Sequence, residues 1–154
     1  MPSHRHLRRL SVVWEKHPVY FVTICVHRRR PLLAIPSVHA ILKTEWLHLA
    51  DHHGWAIGRY VVLPDHVHFF AAPMRESAKP LATTIGRWKE WTSKRMVREI
   101  GITPPVWQPE FFDHLLRSGE SRSEKWNYVK ANPVRAGLVS DSDAWPFAGA
   151  IHFD

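Results

Sequence analysis

The chain of 154 residues contains one cysteine, Cys25, so no intramolecular disulfide can staple it and the disulfide-framed secreted classes are excluded. Cys25 lies in an apolar segment and reads as a packing residue, in keeping with a reducing compartment. No apolar run approaches the ~20 residues that span a bilayer, and Met1 to Leu10 has no apolar signal core; the expectation is a soluble cytoplasmic protein without a membrane partner. Acidic side chains are scarce, 14 Asp+Glu against 21 Lys+Arg, which leaves a formal charge of +7 and a pI near 10.0. That excess favours a polyanionic partner, nucleic acid before an anionic membrane surface. Repeats, low-complexity tracts and internal boundaries are also missing, so the chain reads as one domain over 1–154, with a basic arm at about 1–12 and a short C-terminal tail at about 140–154. A hydrophobic content of 45% is enough to bury a core.

What is present is organised around Val61 to Phe70, VVLPDHVHFF. Alternation along a strand puts His66 and His68 on one face and Val67 and Phe69 on the other, so two imidazoles stand side by side as half of a metal site. The segment Trp55 to Leu63 reads as the preceding strand of a hairpin, and Asp65 is cast chiefly as a residue of its tight turn. Val19 to Val26, rich in β-branched and aromatic residues, is a further strand, ended by the basic cluster His27-Arg28-Arg29-Arg30. A fourth strand region is expected within Val106 to Arg117.

Three helices complete the pattern. Ser37 is the expected N-cap of the first, whose apolar stripe is Val38, Ile41, Leu42, Trp46 and Leu49, with Gly54 as its stop. The second runs from Pro80 to about Ile100, with Leu81, Ile85, Trp88, Thr92 and Met96 as the apolar stripe. Its other stripe, Arg87, Trp91, Lys94 and Arg98, is basic with one aromatic inside it; it suits a solvated helix face and a phosphate backbone with a stacked base equally well. The third begins at the capping-box spacing Ser121–Glu124 and is ended by Pro133. On it Trp126 and Val129 fall on one side, whereas Ser121, Lys125, Tyr128 and Asn132 gather on the other. Tyr20 and Tyr60 sit in strand patterns, so Tyr128 is the one tyrosine on a helix, and Asn132 follows it at i+4.

His66-Val67-His68 after Leu63-Pro64-Asp65, then Val106-Trp107-Gln108, Phe112-Asp113-His114 and Arg117, then Tyr128 with Asn132-Pro133-Val134-Arg135-Ala136-Gly137-Leu138-Val139, resemble the single-tyrosine HUH transposases. More narrowly they resemble the subgroup associated with repetitive extragenic palindromes (REP-associated tyrosine transposases), relatives of the insertion-sequence transposases. The resemblance runs from about Tyr20 to Val139. It implies a ferredoxin-like α+β sandwich: an antiparallel sheet with the two histidines on a central strand, helices on one face, and the catalytic tyrosine on the third helix. It implies that His66, His68 and a polar side chain from the tyrosine helix, here Asn132 where the insertion-sequence relatives commonly have glutamine, hold one Mg²⁺ or Mn²⁺. It places such a protein in the bacterial cytoplasm, associated with the nucleoid, acting on single-stranded DNA and DNA hairpins as a monomer rather than a homodimer.

Phenols ionise only near pH 10, and negative charge gathers on a phosphoryl group under attack, so a tyrosine nucleophile needs a nearby cation. The expected activity is therefore that of a metal-dependent single-strand endonuclease and transposase with Tyr128 as nucleophile, which cuts and rejoins DNA beside a hairpin through a 5′-phosphotyrosine link. Expected DNA contacts are Arg117 and Arg135 near the site and Arg87, Trp91, Lys94 and Arg98 at the periphery. The rivals are a hairpin-binding regulator that does not cut and a metal-dependent hydrolase that uses water.

Overall fold

The computed structural model describes residues 18–154, and the expected basic arm lies outside them. Strand β1 (Val19–Cys25) pairs on one side with β3 (His66–Pro73) and on the other with β4 (Phe112–Leu116); β3 also pairs with β2 (Trp55–Val62), and β2 with β5 (Ala148–Ala150). All pairings are antiparallel and the order is β4-β1-β3-β2-β5, so the histidine strand is the middle one.

Residues directly opposite in an antiparallel pair share a face. The register Val22↔Phe69 and Ile24↔Val67 therefore builds one face, and Phe21↔Phe70, Thr23↔His68 and Cys25↔His66 the other. The first face is apolar throughout and is covered by α1 (Pro36–His53) and α2 (Leu81–Arg95). Trp46 of α1 and Trp88 of α2 stack at 5.1 Å over Phe69. The stripes foreseen for both helices are buried, Leu81 alone being only partly so. Helix α1 opens with Pro36 at its first turn after an uncapped Ile35, not with Ser37 as cap; a fixed φ and a missing N–H suit that place. It stops at Gly54, whose φ of 77° is the left-handed conformation that closes a helix without a Cβ clash. Helix α2 runs on through one wider turn, Met96–Ile100, to Gly101.

The second face carries Phe21, Phe70 and Leu116, apolar groups that also need a cover. Helix α3 (Gly119–Val129) supplies it: Val129 is buried there, and Trp126 meets Phe70 edge-on at 6.2 Å. Helices on one face, as expected, describe α1 and α2 only; α3 lies across the other. The fold class itself is the α+β sandwich with an antiparallel sheet that the ferredoxin-like expectation described.

The segment at 140–154 is part of the fold instead of a tail. Ala148–Ala150 pairs with Arg59 to Val61, His152 exchanges two backbone-directed hydrogen bonds with Ile57 at 2.6 and 2.8 Å, and Phe153 is buried. A Cβ on Gly58 would sit 2.6 Å from the Phe153 ring, so this glycine is required by close approach. Alanine and glycine carry little strand signal, which hid β5 from a propensity reading. Among the described residues no helix is long and apolar enough to cross a membrane.

Candidate functional site

His66 opens β3 and His68 follows two residues on, their rings 4.7 Å apart and nearly perpendicular. His68 Nδ1 is 2.8 Å from the hydroxyl of Thr23, its directly opposite neighbour on β1, and the Phe21 ring stacks on His68 at 5.2 Å. His66 Nδ1 lies 2.7 Å from one oxygen of Asp65, and Arg29 Nε donates to the other at 2.9 Å. Arg29 Nη2 is also 3.4 Å from that Nδ1; the shorter, oppositely charged contact decides that Nδ1–H donates to the carboxylate. Both Nδ1 atoms are thus engaged, and no described residue bonds either Nε2; His66 Nε2 keeps a lone pair for a ligand, and His68 Nε2 does so when its Nδ1–H donates to the Thr23 hydroxyl. Metal-binding histidines are oriented by partners of this kind. Asp65 consequently does more than complete its turn.

Burial, reinforced by the charges of His66, Lys125, Arg29 and Arg135, pushes the pKa of His68 down to about 3, which keeps its imidazole in the neutral, ligating form. Burial works against the Asp65 carboxylate, but hydrogen bonds from His66 and Arg29 outweigh it and hold its pKa below the ordinary value. Burial raises that of Cys25, which lies on β1 directly opposite His66.

Helix α3 begins one turn earlier than Ser121: the Ser118 hydroxyl accepts from Ser121 N–H at 3.1 Å and is the cap. Lys125 Nζ lies 5.2 Å from the centre of the Phe21 ring, the same ring that stacks on His68. This contact joins the tyrosine-bearing flank of α3 to β1, beside His68. Tyr128 is 66% exposed. The Arg135 guanidinium stands 4.0 Å over its ring and donates to its backbone carbonyl at 2.7 Å. Asn132 is not one turn further along the same helix. Helix α3 ends at Val129, and Asn132 begins the short α4 (Asn132–Arg135), with Pro133 in its first turn. The carboxamide oxygen of Asn132 accepts a hydrogen bond from Arg135. Tyr128, Asn132 and Arg135 form one cluster, whose arginine charge reaches His68.

The basic stripe of α2 is elsewhere. Because α2 covers the face opposite the histidines, Arg87, Trp91, Lys94 and Arg98 are directed away from them. Glu90 pairs with both Arg87 and Lys94, Glu99 pairs with Arg98, and Lys94 lies 4.9 Å over the half-exposed Trp91. Arg117 is exposed just beyond β4. Thr23 carries no signal in the sequence, and Arg29, Lys125, Phe112 and His114 stand in the segments noted there without being assigned to the site. The first two are recognisable only from strand register and turn closure. Phe112 and His114 belong to the histidine face because they lie opposite Thr23 and Phe21.

Among the described residues no group of three or more His, Cys, Asp or Glu side chains is placed to hold a metal ion. The candidate donors are the two imidazoles and the Asn132 oxygen, and that oxygen is held by Arg135; imidazole with amide oxygen is a donor combination that borderline divalent ions accept.

No protein-family model matches the chain. Over 133 residues it is 26% identical to the REP-associated tyrosine transposase of Escherichia coli K12, spanning 86% of this chain and 76% of that protein. A Haemophilus influenzae protein provisionally given the same name is 23% identical over 150 residues, 92% of this chain and 84% of its own. A solved structure of a REP-associated tyrosine transposase bound to a REP hairpin matches with a TM-score of 0.70 at 25% identity, covering 86% of this chain and 76% of that one.

Proposed function

Since this chain is a relative of the REP-associated tyrosine transposases, we propose that it binds DNA hairpins and cuts and rejoins a single strand beside them, with Tyr128 as nucleophile. The observation that carries this reading is the pair of fastened Nδ1 atoms, which leaves two Nε2 atoms together on the sheet face that the tyrosine helix crosses. His66 and His68 would hold a divalent ion, and Asn132 would add its oxygen if Arg135 released it. A bound Mg²⁺ or Mn²⁺ supplies charge neutralisation at the phosphate oxygens.

The chain's own residues account for the rest. The Tyr128 phenol oxygen attacks phosphorus; the new bond is the 5′-phosphotyrosine ester, the bond to the 3′ oxygen breaks, and the phenol proton ends on that 3′-hydroxyl. The ester keeps the phosphodiester bond energy, so attack by a 3′-hydroxyl reverses the step and joins strands. Arg135, stacked on the Tyr128 ring, places a cation beside the attacked phosphate, and its planar fork suits phosphate oxygens. Wild-type protein incubated with labelled hairpins carrying single-stranded feet and Mn²⁺ should give an SDS-stable adduct that Tyr128→Phe does not form; an adduct in the variant refutes the assignment.

The Arg135 bond to the Asn132 oxygen favours one rival, a hairpin binder that does not cut. That protein would bind the same hairpins tightly and give no adduct at any metal concentration.

A further inference from the structure

Among the described residues most exposed large apolar side chains sit on helices or loops, but one, Phe112, stands on the sheet itself, 60% exposed. Its place is set by register. Phe112 lies opposite Thr23 on β1, and Thr23 lies opposite His68 on β3, so the three side chains form one row on the same face. At about 4.8 Å between neighbouring strands, Phe112 is about 10 Å from His68 along that row. β4 is an edge strand, so among the described residues no strand lies beyond it. His114, two residues on and opposite Phe21, is exposed beside it on the same face. Cations border the row: Lys125 over Phe21, and Arg135 over Tyr128.

We infer that Phe112 is a stacking platform for one unpaired nucleobase of the strand held at the histidine pair, with His114 as its polar neighbour. This rests on the reading of the chain as a single-strand DNA enzyme and adds to it a residue that contacts a base. The chemistry is selective for an unpaired base. Every base offers a π-face to an exposed phenyl ring, whereas a duplex keeps those faces buried in its own stack. A polyanionic strand also complements the Lys125 and Arg135 cations. An apolar edge strand can alternatively pair with a second copy of the chain, which the test below separates.

The probe is a fluorescein-labelled DNA hairpin with a short single-stranded foot, intact or with an abasic residue stepped through each position of the foot. Binding is followed by anisotropy without metal, and adduct formation is followed in parallel with Mn²⁺. Wild type should lose about tenfold to a hundredfold in affinity when one particular base is removed. Phe112→Ala should bind the intact probe more weakly by a similar factor and no longer respond to that abasic position, since the two losses report one contact. Phe112→Trp should retain both the affinity and the positional response, which guards against a merely structural effect, as does an unchanged circular-dichroism melt. The inference is overturned if Phe112→Ala binds like wild type, if it weakens all abasic probes equally, or if its only effect is a change of oligomeric state. The two readings fail separately: coupling without any adduct removes the cutting activity and keeps the stacking contact, whereas an adduct with no coupling does the reverse.

Discussion

Removing the Asp65 carboxylate distinguishes a residue that orients His66 from one that merely closes a turn. The Arg29–Asp65 ion pair is well exposed, with side chains 52% and 29% accessible, so its contribution to folding should be about 0–1 kcal/mol. In a domain of this size that corresponds to a melting shift of about 2–4 °C at most. The backbone side of the turn, Val26 N–H to the Asp65 carbonyl at 2.9 Å and Leu63 N–H to the His66 carbonyl at 2.8 Å, survives truncation of the side chain. Loss of the oxygen that fixes the His66 tautomer should act on the metal instead, by about 10–100-fold in affinity. Asp65→Ala should therefore keep its cooperative unfolding nearly unchanged while its Mn²⁺ dissociation constant, measured by titration calorimetry, rises by that factor. Asp65→Asn retains an acceptor oxygen without the charge and should fall between the two. Unchanged Mn²⁺ affinity in Asp65→Ala, in a titration where His66→Ala abolishes binding, refutes the argument.

Mn²⁺ at a hundredfold excess over its dissociation constant should stabilise the protein by about 2.7 kcal/mol, read as a rise in melting temperature that EDTA reverses and that the double variant His66→Ala, His68→Ala lacks. Tyr60 is 3% exposed and burial pushes its pKa up to about 12; its folded phenol therefore stays protonated where the unfolded one ionises, so its contribution is fully present below pH 10 and is lost as pH rises towards 12, at about 1.4 kcal/mol per unit. Denaturant unfolding at pH 9, 10 and 11 should show that extra slope in wild type and not in Tyr60→Phe. Gly58→Ala drives a Cβ to 2.6 Å from the Phe153 ring and should cost about 1–3 kcal/mol as an overpacking change, partly recovered by Phe153→Leu; a neutral Gly58→Ala would show that the C-terminal segment is not packed there in solution.

The features read correctly from sequence are those coded by local periodicity. The stripe Ile85, Trp88, Thr92, Met96 is buried because α2 meets an apolar sheet face at helical spacing, and His66 and His68 share a face because strands alternate. What failed needed information beyond one element. Which face α3 would cover depends on the register that groups Phe21 with Phe70, and β5, a three-residue Ala-Gly-Ala strand, has no propensity signal and exists because β2 offers an open edge. The basic stripe of α2 is legible in the sequence as a stripe, yet its separation from the histidines follows only from the sheet that divides the two faces.

The same distinction bears on Asn132. A spacing of i+4 implies adjacency only on an unbroken helix, and here Pro133 has no N–H to donate to the Val129 carbonyl, so α3 stops at Val129 and α4 starts afresh at Asn132. The break brings Arg135 over the Tyr128 ring while its guanidinium holds the Asn132 oxygen. One arginine thus binds both residues expected to act on the phosphate, and a phosphate, being the better bidentate acceptor for a guanidinium than an amide oxygen, would compete for it directly. Under the function proposed above, a DNA strand that takes up Arg135 would therefore free the Asn132 oxygen, and Arg135→Ala should raise Mn²⁺ affinity in the absence of DNA if that oxygen is the third ligand; an unchanged affinity refutes the coupling.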